Sequence, residues 1–187
     1  MGKGRIEAFS DGVIAIIITI MVLELKAPLD VSWASLQKLT PIFVAYLLSF
    51  LVAAIMWVNH HNLIHAAPRA TVRLLWLNIH LLFWMSLVPF ATAYVGHHYA
   101  ESLPAALYAM VHFGCAAGFL FLRCEAIPRA RWNPRATAKN VLSVVLYGSA
   151  APLAYVSPYV SYGIFVLIPV LYFLPERIQT ADTPVEV

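Results

Sequence analysis

Six runs of predominantly apolar residues, each about as long as a helix must be to cross roughly 30 Å of hydrocarbon, constrain this chain more than any other feature. They lie at about residues 6 to 25, 40 to 62, 73 to 95, 103 to 123, 138 to 156 and 159 to 174. Hydrocarbon offers no partner to an open backbone N–H or C=O, so runs of this length are expected to be helical. Composition agrees: 61% hydrophobic residues, 11% charged residues and a mean hydropathy of +0.78 do not describe a water-soluble domain of 187 residues. The expected fold class is an all-α integral membrane protein with six transmembrane helices. One helical domain spans 1–175, and the polar, proline-punctuated tail 176–187 is expected to be disordered.

The twelve Lys and Arg residues give the orientation, because short basic loops stay in the cytoplasm. With the N-terminus inside, Lys3, Arg5, Arg69, Arg73, Arg123, Arg129, Arg131, Arg135, Lys139 and Arg177 are all cytoplasmic. Lys26 and Lys38 alone fall outside. This asymmetry requires an even number of spans and two cytoplasmic termini. The isoelectric point near 9.0 is thus a signal of topology and does not point to nucleic acid.

The basic start and apolar run of the N-terminus suggest a signal peptide, but no small-residue cleavage site follows Leu25, so the run is read as a retained helix. Cys115 and Cys124 lie nine positions apart in one predicted helix, too far to pair, and read as small packing residues. Loop 126–139 is the longest cytoplasmic connection, and its arginines sit at the level of the lipid headgroups. Pro89, Pro152 and Pro169 fall inside predicted spans and suggest kinks.

The first span carries the ionisable groups Arg5, Glu7 and Asp11 into the membrane edge, where charge is costly and marks function. Projected at 100° per residue, it separates into two faces. Ile16, Thr19, Ile20 and Leu23 share one stripe, continued by Gly12, Phe9 and Arg5. Glu7 and Asp11, at i and i+4, fall on roughly the opposite side with Ile18, Val22 and Leu25. On periodicity alone, the apolar stripe would face lipid and the acids a polar bundle interior.

Motifs then add a resemblance. Arg5, Phe9-Ser10-Asp11 and the following Gly12 resemble the signature of the transmembrane protein 175 family of potassium channels. Trp57-Val58-Asn59-His60-His61 is similar to its Trp-x-x-His element, Leu77-Asn78 to its third-helix asparagine, and Pro89-Phe90 to the end of that helix. The likeness covers about the first 95 residues by motif and the remainder by hydropathy. Asn62 stands where a basic residue often follows the histidine pair, and Ala91 replaces a frequent second proline.

The resemblance implies a homotetramer in a bacterial cell membrane, with the first helices of four copies lining a central pore for potassium ions. It assigns Ile16, Thr19, Ile20 and Leu23 to the pore and gate. It places Arg5, Ser10, Asp11, Trp57, His60 and Asn78 in a polar network that holds the pore helix to its scaffold. Membrane lipids and permeant ions are the other implied partners, with neither a catalytic residue nor a cofactor nor a bound metal. Two further readings come from the residues themselves. A buried Asp11 in a six-span protein suits a proton-coupled secondary transporter. His61 and His65, at i and i+4, could place two imidazoles on a metal, with His60, His80 and His112 as further ligands, as in a membrane metalloenzyme. That last reading lacks a carboxylate near the pair in sequence.

Overall fold

The computed structural model describes residues 2–173. The predicted tail 176–187 lies outside these residues. Among them the chain is all helical: α1 (Lys3–Leu23), α2 (Trp33–Gln37), α3 (Thr40–Ala66), α4 (Val72–Ser86), α5 (Val88–His97), α6 (Ser102–Ala126), α7 (Pro134–Leu153) and α8 (Pro158–Phe173). The stretches Lys3–Leu23, Thr40–Ala66, Val72–His97 and Ser102–Ala126 are long and apolar enough to cross a membrane. With α7 and α8 they correspond to the six predicted runs.

Two runs differ in their boundaries for local chemical reasons. The third is interrupted at Leu87, where Pro89 enters at the second position of α5. Proline has no N–H to bond the carbonyl of Met85, and its ring crowds that carbonyl, so α4 closes at Ser86 and α5 starts afresh. The fifth begins at Pro134, four residues earlier than hydropathy suggests. Asn133 caps it by accepting from the backbone N–H groups of Arg135 at 2.9 Å and Ala136 at 3.4 Å. Proline at the first helical position gives up a hydrogen bond that would be missing there anyway. The short α2 likewise rests on a cap: Ser32 accepts from the Ser35 N–H at 3.2 Å.

Side-chain bonds at the helix ends trace an up-and-down bundle. Lys3 Nζ donates to the carbonyls of His65 at 3.2 Å and Ala67 at 2.9 Å, so the start of α1 meets the end of α3. Thr71 donates to Glu125 at 3.0 Å and Arg73 pairs with it at 3.4 Å, joining the start of α4 to the end of α6. Tyr172 donates to Asn140 at 2.9 Å between α8 and α7. These contacts bring Lys3 and Arg73 to the same end of the bundle. At the other end, Tyr162 of α8 donates to the carbonyl of Tyr99 at 2.6 Å.

Helix α6 forms the centre, packed against α4 on one side and α7 on the other. Its buried face is rich in small residues: Ala105, Ala109, Gly114, Ala116 and Gly118. Small residues let backbones approach where no hydrophobic effect drives helices together. A Cβ at Gly118 would lie 3.2 Å from Leu81 Cα, and one at Gly114 would collide with the indole of Trp84. Cys115 is buried in this face, whereas Cys124 is exposed, so only the first serves as a packing residue.

Gly114→Ala is therefore expected to lower the thermal stability of purified protein. The overpacking cost of about 1–3 kcal/mol exceeds the gain of up to about 1 kcal/mol from helix propensity. In a Trp84→Ala background the same change should cost nothing further, and an undiminished penalty there would show that the two residues are not coupled.

Candidate functional site

Helix α1 buries one narrow face and leaves the rest open. Ile6, Ser10, Ile14, Ile17 and Met21, repeating every three or four residues, face the core. Across the helix, Arg5, Phe9, Gly12, Ile16, Thr19, Ile20 and Leu23 are exposed, with Ile16 at 58% and Leu23 at 73% of full accessibility. Thr19 Oγ1 donates its proton to the Ile16 carbonyl at 2.8 Å. Glu7, Asp11 and Ile18 are partly buried and occupy the flank toward α3. The acids thus sit one residue step round from the centre of the buried face, which Ile14, Ile17 and Ser10 hold.

At the basic end, α1, α3 and α4 meet in a buried chain of polar groups. Ser10 Oγ donates to the Ile6 carbonyl at 2.8 Å and accepts from Asn78 Nδ2 at 2.9 Å. Asn78 Oδ1 lies 2.7 Å from His60 Nε2. The directions follow from one proton. The hydroxyl spends its hydrogen on Ile6, so it must accept from the amide; Asn78 Oδ1 is then the remaining acceptor, and His60 carries its hydrogen on Nε2. All three side chains are buried.

Asp11 lies beside this chain, and its Oδ1 accepts from Trp57 Nε1 at 2.8 Å. Trp57 is 44% exposed, so this bond lies at the protein's edge. Ser10, Asp11, Trp57, His60 and Asn78 therefore converge at one junction. Arg5 does not join them. It is exposed on the side of Phe9 and Gly12, because five residues at 100° each turn it well away from Ser10.

Beside the junction, the histidine pair His61 and His65 gains a partner that sequence spacing leaves apart. Glu7 Oε1 lies 2.7 Å from His61 Nδ1 and 3.0 Å from His65 Nε2. A carboxylate does accompany the histidine pair, supplied from 54 positions upstream by the packing of α1 on α3. The other histidines go elsewhere. His60 bonds Asn78, exposed His80 lies against Trp84, and buried His112 pairs Nδ1 with the Tyr108 carbonyl at 2.9 Å. Sequence spacing gives no sign of a second buried cluster either. Ser49 lies 2.7 Å from both Thr92 Oγ1 and Tyr108 OH, tying α3 to α5 and α6.

Comparison with known proteins identifies the family. A potassium channel of Chryseobacterium sp. is 40% identical to the chain over 184 residues, 95% of each sequence. The chain belongs to the TMEM175 family of potassium channels. The family profile described as endosomal/lysosomal potassium channel TMEM175 matches residues 5–89, which contain α1 from Arg5 onward and every residue of the junction. A lysosomal potassium-selective channel TMEM175 homolog from Chamaesiphon minutus has a crystal structure that superposes with a TM-score of 0.82 at 31% identity. It covers 91% of this chain and 95% of its own. The human endosomal/lysosomal proton channel TMEM175 is 34% identical over 103 residues, 49% of this chain and 20% of the human one. Membership of TMEM175 makes the protein a multi-pass membrane channel and not an enzyme, which removes the metalloenzyme reading of the histidines.

Burial separates the Asn78–His60 and Asp11–Trp57 hydrogen bonds of the junction in energy. Asn78→Ala strands His60 Nε2–H and removes the donor to Ser10, so thermal unfolding in detergent should show a loss of about 1–3 kcal/mol for each stranded group. Asp11→Asn keeps an acceptor for a half-exposed indole and should cost far less. Equal losses would mean that burial does not set the cost.

Proposed function

We propose that the protein is a homotetrameric potassium channel of a bacterial cytoplasmic membrane, with both termini in the cytoplasm and α1 lining a central pore. The observation that carries this reading is the two-faced character of α1. One face is fixed to α3 and α4 through Ser10, Asn78 and His60, while Ile16, Thr19, Ile20 and Leu23 face outward from the chain. In a family of channels, a helix anchored by polar groups on one side and free on the other suits a pore wall better than a lipid anchor. One such helix cannot enclose a conduit, so copies must close around a symmetry axis. Four is the number that the family resemblance implies.

In this arrangement Ile16, Ile20 and Leu23 form apolar rings that close the pore by excluding water, and Thr19 forms a ring of hydroxyl oxygens for a partly dehydrated cation. Potassium is the permeant species, no cofactor takes part, and lipids surround the outer helices. Ser10, Asp11, Trp57, His60 and Asn78 keep the pore helix in place. Arg5 stays outside that network in the single chain.

A second permeant species has a specific basis, because the human relative bears the name of a proton channel. Reconstituted protein recorded under separate potassium and pH gradients distinguishes the two. A reversal potential that follows potassium supports the main reading, and one that follows pH overturns it. Currents of single-channel size also exclude the coupled transporter, whose turnover is far slower.

Ile16→Asn and Leu23→Ser are expected to raise basal potassium conductance, because a polar ring holds water where an apolar one does not. Native mass spectrometry of the same preparations should show four chains per particle. Unchanged currents in both well-assembled variants, or monomers alone under mild conditions, would remove α1 from the pore.

A further inference from the structure

Glu7, His61 and His65 take no part in the junction that anchors α1 through Ser10, and the pore reading leaves them unused. Their ligand atoms, one carboxylate oxygen and two imidazole nitrogens, all lie within 4.8 Å of one another. The histidines occupy successive turns of α3 with ring centroids 4.5 Å apart. One offers Nδ1 and the other Nε2, so both point at the same oxygen of Glu7. Glu7 is only 18% exposed, whereas His61 and His65 are 46% and 61% exposed. The carboxylate is held from behind by helix packing, and the imidazoles are reached from water.

We propose that Glu7, His61 and His65 form a binding site for one divalent transition-metal ion, which clamps the start of α1 to the last turns of α3. Two neutral imidazoles and a carboxylate are the donor set that zinc accepts in three-ligand sites, with water completing the coordination. Magnesium and calcium demand oxygen ligands and copper(I) prefers sulfur, whereas imidazole suits divalent zinc, cobalt, nickel and copper, so the ion is of that kind. At metal–ligand distances of 2.0–2.1 Å, tetrahedral donors lie about 3.3 Å apart. The two Glu–His separations of 2.7 and 3.0 Å need to open only slightly, through rotation of exposed side chains.

Two nearby features act on the charge balance in opposite directions. The C-terminal carbonyls of α3 present the negative end of the helix dipole to the cation. Lys3 bonds the carbonyls of His65 and Ala67 and places an ammonium group close by, which weakens binding. Micromolar affinity is the expected result. Without metal, the same carboxylate is satisfied by imidazole N–H groups, so the cluster persists in both states.

The test uses full-length protein freed of any affinity tag and stripped with a chelator, then titrated with Co²⁺ or Zn²⁺ alone. One ion should bind per chain, with the visible absorption of tetrahedral Co²⁺, and metal should raise the melting temperature of the wild type. Glu7→Gln, His61→Gln and His65→Gln should each weaken binding at least about tenfold, the loss that even indirect supports of metal ligands cause. His65 is the most exposed of the three, so its variant should assemble normally. The double change His61→Gln/His65→Gln should abolish both the Co²⁺ spectrum and the thermal shift. Absence of saturable binding at sub-millimolar metal, or binding that survives the double change, overturns the proposal. Binding is read directly, so the result is independent of whether α1 lines a pore.

Discussion

Ser10 has a single hydroxyl proton, and its donation to the Ile6 carbonyl sets the order of everything behind α1. Asn78 must then donate to Ser10, and His60 must donate to Asn78, so three helices share one unbranched line of hydrogen bonds. In a buried site each of these groups would be costly to leave unpaired, which makes the line directional and intolerant of slippage. A helix held only by Ile14, Ile17 and Met21 could rotate or slide by a turn at small cost. The polar line fixes its rotation, and with it the residues that α1 presents on its far side.

Much of this was legible in the sequence, for a physical reason. A helix repeats its faces every 3.6 residues whatever surrounds it, so the stripe Phe9, Gly12, Ile16, Thr19 and Leu23 could be drawn from α1 alone. The same geometry had already turned Arg5 toward that stripe. The motif resemblance nonetheless assigned Arg5 to the buried network, and in the chain the helix geometry prevails. Periodicity was less exact for the acids: Glu7 and Asp11 lie on the α3 flank, since the centre of a buried face depends on where the neighbours stand.

What stayed hidden depends on contacts between distant segments. Nothing near His61 and His65 in sequence announces Glu7, and nothing links Ser49 to Thr92 and Tyr108 until α3, α5 and α6 are packed. Local signals for the helix boundaries were present and simply outweighed by hydropathy. Asn133-Pro134 is a cap followed by a first-turn proline, Ser32 is a cap, and Pro89 marks a break. A hydropathy run measures solvent preference, and it is blind to where a particular N–H finds its partner.

Thr19 has one further consequence. Its proton is committed to the Ile16 carbonyl within its own helix, so the hydroxyl can offer the outside only oxygen lone pairs. In the proposed tetramer, a ring of such groups would present acceptors without donors and without formal charge. An anion would find nothing there to bind, while a cation would find four dipoles turned toward it. A ring of carboxylates would achieve the same discrimination by net charge, which dissolved salt screens. Fixed dipoles in contact with the ion are not screened in that way, so the preference for cations over anions would hold from dilute to concentrated electrolyte.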